Sequence, residues 1–160
     1  MPVIAKRMQH NHGLRQYQST MDSSIRVAHC FVMDPRRSTP ERPLVSVVDD
    51  DESVRESLPD LLWEFGFDAI VFSSAEDFLS SDSLARTKCL ILDVAMPGMG
   101  GIDLQQELKR RRESIPIIFI TGQKDDVKRE QALRLGAVQF LYKPFSDTAL
   151  LDALNSAIPK

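Results

Sequence analysis

At 160 residues the chain is long enough for one domain with a full core, and its 42% hydrophobic and 27% charged residues are ordinary for a globular protein. The net charge of −3 divides unevenly: residues 1–43 carry seven Lys/Arg against three Asp/Glu, whereas residues 44–160 carry thirteen against twenty. An acidic body argues against direct nucleic-acid binding, which needs clustered cations, and no run approaches the roughly 20 apolar residues of a membrane helix.

Residues 1–41 are rich in Gln, His, Ser, Arg and Pro, hold no sustained apolar period, and are expected to form a disordered extension before a folded domain over 42–160. Met33 precedes a short polar lead-in to that domain, so one hypothesis is that translation begins there; an intact mass starting at Met1 refutes it. Cys30 and Cys89 lie far apart without CxxC or Cys/His spacing, which disfavours a disulfide framework or structural zinc, and the start lacks the apolar stretch of a secretory signal. The expected location is therefore cytoplasmic. His10, His12 and His29 all fall in the extension, so the body offers no histidine as a general base and no Ser/His/Asp triad.

From Leu44 onward, apolar runs alternate with amphipathic stretches. This is the rhythm of βαβ units around a parallel sheet covered on both faces. Strands are expected near 44–48, 68–72, 88–92, 116–120 and 138–142, and helices near 53–65, 75–81, 101–111, 124–135 and 146–157. Right-handed crossovers favour an α/β, doubly wound sheet. Ser53, with Glu56 three residues on, reads as a capping box for the first helix, and Ser146 as the cap of the last; Gly66 and Gly136 suit left-handed helix stops. Pro59 fights the first helix at about 3 kcal/mol. Burial of Leu58, Leu61, Leu62 and Phe65 should outweigh that cost and leave a kinked helix. The basic run Lys109-Arg110-Arg111-Arg112 reads as a solvated last turn favoured by the helix dipole. Cys89, in an apolar strand, reads as inert core.

Polar residues end four of the apolar runs: Asp49-Asp50 after LVSVV, Asp93 after CLIL, Thr121 after IPIIFI and Lys143 after VQFLY. In an open parallel sheet the strand carboxyl ends share one edge, where ligands bind, so these groups should converge. Three carboxylates ionised at pH 7 would repel one another, and a hard divalent cation relieves this. Mg²⁺ favours one or two protein carboxylates, retained waters and phosphate oxygens. Lys143 adds a point charge suited to a carboxylate or phosphoryl oxygen, and Thr121 can hydrogen-bond to a phosphoryl group.

VVDDDESVR, LILDVAMPGMGG, IFITG and GAVQFLYKPF, in this order and spacing, closely resemble the receiver domain of bacterial two-component response regulators over about residues 42–158. The ITG and KPF contexts are most similar to the FixJ/NarL-type group. The resemblance implies a flavodoxin-like five-stranded sheet of order 2-1-3-4-5 with five helices. It also implies Asp93 as phosphoacceptor, Asp50 and Asp93 as Mg²⁺ ligands with Asp49 acting mainly through water, and the Ala95 backbone carbonyl as a further ligand. Thr121 and Lys143 would contact the phosphoryl group, Phe140 would be the aromatic switch, and Lys143-Pro144 a cis peptide. A phosphoryl group drawing the Thr121 hydroxyl toward it would open space for Phe140 to turn inward.

The function implied is a signalling phosphoacceptor that catalyses only its own modification. Its donor would be a sensor histidine kinase or phosphotransfer protein, and its output a downstream protein partner. No helix-turn-helix or enzymatic module follows the fifth helix in this sequence, so the expectation is either a stand-alone receiver acting by protein contact, which is favoured, or a truncated chain. One alternative is a degenerate receiver that serves as a constitutive scaffold, against which the complete acid, Thr and Lys set argues. The other is a metal-dependent phosphohydrolase with an aspartyl intermediate; such enzymes carry a second acid two residues beyond the nucleophile, and here that position is Ala95.

Overall fold

The computed structural model describes residues 41–159. The extension and the positions Cys30, Met33, His10, His12 and His29 lie outside the described residues. Five parallel strands form one sheet in the order β2-β1-β3-β4-β5. They are β1 (Leu44–Val48), β2 (Asp68–Phe72), β3 (Thr87–Asp93), β4 (Ile117–Thr121) and β5 (Gln139–Tyr142), and the helices between and after them are α1 (Glu52–Glu64), α2 (Ala75–Leu79), α3 (Gly101–Arg110), α4 (Asp126–Arg134) and α5 (Asp147–Ala157). The expected flavodoxin-like order is the one observed.

Burial follows position in the sheet. The inner strands β1 and β4 are buried at every residue, as their unbroken apolar runs require, whereas edge strand β2 alternates between buried and half-buried. On one face Val48, Leu90, Leu92, Ile117, Phe119 and Phe140 pack with Ala75 and Phe78 of α2, Leu104 and Leu108 of α3, and Ala132 of α4. Strand alternation sends Val47, Ile91, Ile118 and Ile120 to the other face, where α1 and α5 supply Leu58, Leu62, Leu150 and Leu154.

Local signals were mostly obeyed. Ser146 caps α5 by accepting from the Ala149 N–H at 3.0 Å, and Gly66 and Gly136 take φ of +98° and +104° at helix ends. Lys143-Pro144 is cis. The capping box expected at Ser53 does not form. Asp51 is the cap instead, its Oδ1 accepting from the Ser53 N–H at 2.9 Å and the Ser53 hydroxyl at 2.8 Å, because a carboxylate outcompetes a hydroxyl for the free N–H groups of a first turn.

Helix α1 runs unbroken through Pro59, with Leu58, Pro59 and Leu62 buried but Leu61 and Phe65 only half-buried, so fewer side chains offset the proline than the sequence suggested. Helix α2 stops at Leu79, two residues early. The following serines bond back onto its carbonyls, Ser80 Oγ to Glu76 at 3.0 Å and Ser81 Oγ to Phe78 at 2.8 Å, which gives the chain an alternative to further helix. Asp125, accepting from the Lys128 N–H at 3.1 Å, likewise delays α4 to Asp126. The basic run closes α3 in solvent, with Arg110 and Arg111 both on Glu107, whose carboxyl their donation draws down to about 2.

Candidate functional site

The sheet edge at the strand carboxyl ends gathers the acids. One carboxylate oxygen from each of Asp49, Asp50 and Asp93 lies within 4.8 Å of the others. Register explains the convergence: Val48 of β1 pairs with Leu92 of β3, so Asp49 and Asp93 leave adjacent strands at the same level. From the far edge, the turn after β5 returns Lys143, whose Nζ sits 2.8 Å from Asp49 Oδ2 and 4.0 Å from Asp93 Oδ2.

The three acids are held differently. Asp49 is fully buried, and its Oδ1 also accepts from the Asp51 N–H at 2.8 Å, so both its oxygens have donors. Asp93 is 6% exposed, and its Oδ1 accepts a long contact of 3.4 Å from the Ala95 N–H. Burial, and then the Asp49 charge beside it, push the Asp93 carboxyl up to about 7 although Lys143 pulls the other way. Asp50 is exposed, and its carboxylate takes no bond from the described residues. Crowded carboxylates, one of them ready to protonate and another open to solvent, form a donor set that suits a hard divalent cation in an oxygen environment.

Thr121 is placed at the end of β4, one residue beyond the register partner of Asp93, but its hydroxyl faces its own loop, within 3.1 Å of the Gln123 N–H and 3.3 Å of the Gln123 carbonyl. Ala95 is exposed at the start of the loop after Asp93. Phe140 is 5% exposed, with Phe119 and Tyr142 as ring neighbours at 5.9 and 5.5 Å. Phe140 is thus buried while the Thr121 hydroxyl points into its own loop. Cys89 is buried in β3, and burial raises its thiol to about 12, too high for a reactive thiolate at neutral pH.

Three residues at the site carried no sequence signal of their own. Asp51 both caps α1 and donates its N–H to Asp49. Arg55 Nη1 donates to the Asp49 carbonyl at 2.9 Å. Gly101, the first residue of α3, lies so close to β3 that a Cβ there would stand 2.3 Å from the Asp93 carbonyl oxygen. The second glycine of the GG pair in MPGMGG was the only available hint.

Comparison with known proteins places this geometry. The family described as response regulator receiver domain matches residues 45–155. Nodulation protein W of Bradyrhizobium diazoefficiens is 47% identical over 116 residues, covering 72% of this chain and 51% of that protein. Transcriptional regulatory protein FixJ of the same organism is 40% identical over 114 residues, covering 71% and 56%. Among solved structures, the FixJ N-terminal domain superposes with a TM-score of 0.66 at 37% identity over 73% of this chain and 94% of that one; chemotaxis protein CheY4 of Vibrio cholerae gives 0.67 at 26%, over 74% and 100%. The chain spans about half the length of the curated relatives it matches. No helix among the described residues is long and apolar enough to cross a membrane. Receiver domains generally bind Mg²⁺ and interact with histidine kinases and downstream partners. With the sheet order, the acidic edge and these relatives in agreement, the chain belongs to the response regulator receiver domain family, the phosphoacceptor signalling module of two-component systems.

Proposed function

We propose that Asp93 accepts the phosphoryl group, in a Mg²⁺-dependent transfer from the phosphohistidine of a histidine kinase or phosphotransfer protein. The observation that carries this reading is the meeting of the Asp49, Asp50 and Asp93 oxygens within 4.8 Å beside the Lys143 ammonium. Asp50 and Asp93, with the Ala95 carbonyl, would hold the metal directly, and Asp49, both of whose oxygens already have donors, would act through water. Bound Mg²⁺ supplies charge neutralisation of the phosphoryl oxygens.

The protein's own part is to present a nucleophile. An oxygen of the ionised Asp93 carboxylate attacks phosphorus in line, the P–N bond to the donor imidazole breaks with its electron pair on nitrogen, and an acyl phosphate remains. Lys143, held by Asp49 and 4.0 Å from Asp93, would pair with a phosphoryl oxygen. To donate to that group, the Thr121 hydroxyl gives up its donation to the Gln123 carbonyl, and this exchange is the first movement of the switch. Phe140 and Tyr142 on β5 would relay it to the surface shared with α4 and a downstream protein partner. The chain catalyses its own modification and turns over no external substrate, and it works in the cytoplasm, where the kinase domains that donate phosphoryl groups reside.

Incubation with a small phosphodonor and Mg²⁺ tests the reading. The expected result is an intact-mass gain of one phosphoryl group that Asp93→Asn abolishes. No gain in the parent protein identifies a constitutive scaffold, and multiple-turnover phosphate release from a generic monoester identifies a phosphohydrolase.

A further inference from the structure

The motif VVDDDESVR contains an arginine that the chemistry above leaves without a role, and it stands where helix electrostatics disfavour it. Arg55 lies in the first turn of α1, its N–H bonded to the Asp51 cap carbonyl at 3.2 Å, at the helix end that favours anions. The half-buried side chain turns back, and Nη1 donates to the Asp49 carbonyl at 2.9 Å.

That carbonyl belongs to the peptide joining Asp49 to Asp50. Asp49 is fixed elsewhere by its N–H on Phe72 O at 3.1 Å and by its carboxylate on Asp51 and Lys143. Asp50 has no such anchorage, since it is exposed and its carboxylate takes no bond from the described residues, yet one of its oxygens faces those of Asp49 and Asp93. Because the peptide unit is planar, fixing the Asp49 oxygen fixes the Asp50 nitrogen and so limits where the Asp50 side chain can point.

We propose that Arg55 is a positioning residue: its guanidinium on the Asp49 carbonyl sets the Asp49–Asp50 peptide so that Asp50 joins the acidic cluster, and it thereby governs the affinity of that cluster for a divalent cation. The inference rests on reading the cluster as the Mg²⁺ site. Charge alone predicts the opposite sign. A guanidinium near a cation site opposes a second cation, so if Arg55 acted only through its charge, removing it would tighten Mg²⁺ binding.

Titration of the full chain with Mg²⁺ alone, followed by amide chemical shifts, separates the two. Arg55→Met, which keeps the aliphatic stem, is expected to weaken Mg²⁺ binding by about tenfold, as loss of an outer-shell partner does. Arg55→Lys, which keeps a donor on the same path, is expected to bind within about threefold of the parent, as partial retention of one hydrogen bond allows. Unchanged or tighter binding by Arg55→Met overturns the proposal, and so does an Arg55→Lys variant as weak as Arg55→Met. If circular dichroism shows Arg55→Met unfolded, Arg55→Gln, whose shorter arm stops short of the carbonyl, takes its place with the same two outcomes. A parent protein that neither binds Mg²⁺ nor gains a phosphoryl group on Asp93 refutes the site itself; one that does both beside an unaffected variant refutes only the role of Arg55.

Discussion

Strands β1 and β4 flank the strand that carries Asp93, and they deliver their polar ends to the same sheet edge in very different ways. Asp49, after β1, is tied through its N–H, its carbonyl and both carboxylate oxygens to Phe72, Arg55, Asp51 and Lys143. Thr121, ending β4, takes the Lys143 N–H on its carbonyl at 2.7 Å, but its hydroxyl bonds only locally, to Gln123. The helices that follow repeat the contrast. Helix α1 buries Leu58, Pro59 and Leu62, whereas α4 buries Ala132 alone and leaves Val127 77% exposed. A site that must bind charge on arrival needs its acids placed in advance, and a surface that must report binding needs an element that is cheap to move.

The largest expected effect comes from crowding β3, the strand between the two. Gly101→Ala should improve helix propensity in α3, but its Cβ would stand 2.3 Å from the Asp93 carbonyl oxygen, a backbone atom that cannot step aside. Overpacking against the main chain outweighs propensity, so we expect a loss of about 3 kcal/mol in urea unfolding. Gly100→Ala is the neighbouring control, because its Cβ would meet Val94 O at 3.4 Å, and it should change stability by less than about 1 kcal/mol. Equal losses in both would show that α3 tolerates no side chain at its start for reasons unrelated to Asp93.

A smaller effect sharpens the electrostatic part of the contrast. With the Asp93 carboxyl raised to about 7, the folded protein holds a proton that the unfolded chain, with an ordinary aspartate near 3.8, has already released. Stability of the metal-free protein in chelator should therefore be fully favoured by this group below pH 4 and fall as pH rises from about 4 to 7. The fall should amount to about 1–3 kcal/mol, because each pH unit between the two values is worth at most about 1.4 kcal/mol. Asp93→Asn should flatten it. Saturating Mg²⁺ should flatten it too, since a metal replaces the proton as the counter-charge. A parent and an Asp93→Asn variant with parallel stability–pH curves would mean that Asp93 is not under strain.

How far the sequence could be read divides along the same line. Strand ends were legible because each apolar run stops at a residue that cannot be buried without a partner, and that alone brought Asp49, Asp50, Asp93 and Lys143 together. What was missed depends on contacts between distant atoms or on backbone proximity. Ser53 looked like a cap until Asp51, two residues before it, supplied a stronger acceptor. Arg55 was one charge in an acidic motif until folding laid it on the Asp49 carbonyl, and the need for glycine at 101 is visible only once β3 and α3 are in place. The orientations of Thr121 and Phe140 are choices among rotamers made by tertiary neighbours, and residue type does not encode them.

The less buried side, α4, can be loosened without damage to the fold. Gln105 of α3 is 4% exposed; its Nε2 donates to the Ala132 carbonyl at 3.0 Å and its Oε1 is buried without a partner among the described residues. Ala132 is also the one buried residue of α4, so this amide is the main polar tie between the two helices. Replacing Gln105 with Met removes one hydrogen bond, worth about 1 kcal/mol, and also removes a buried oxygen whose lack of a partner costs a similar amount, so global stability should change by less than about 1 kcal/mol. Local stability should not be spared. The α4 amides, having lost their tie, should exchange with deuterium several-fold faster while those of α1 stay unchanged, because α1 is held by side chains that Gln105 does not touch. Uniform acceleration in both helices, or none in α4, would mean that α4 is not held separately from the body, and the contrast between the two halves of the site would lose its physical basis.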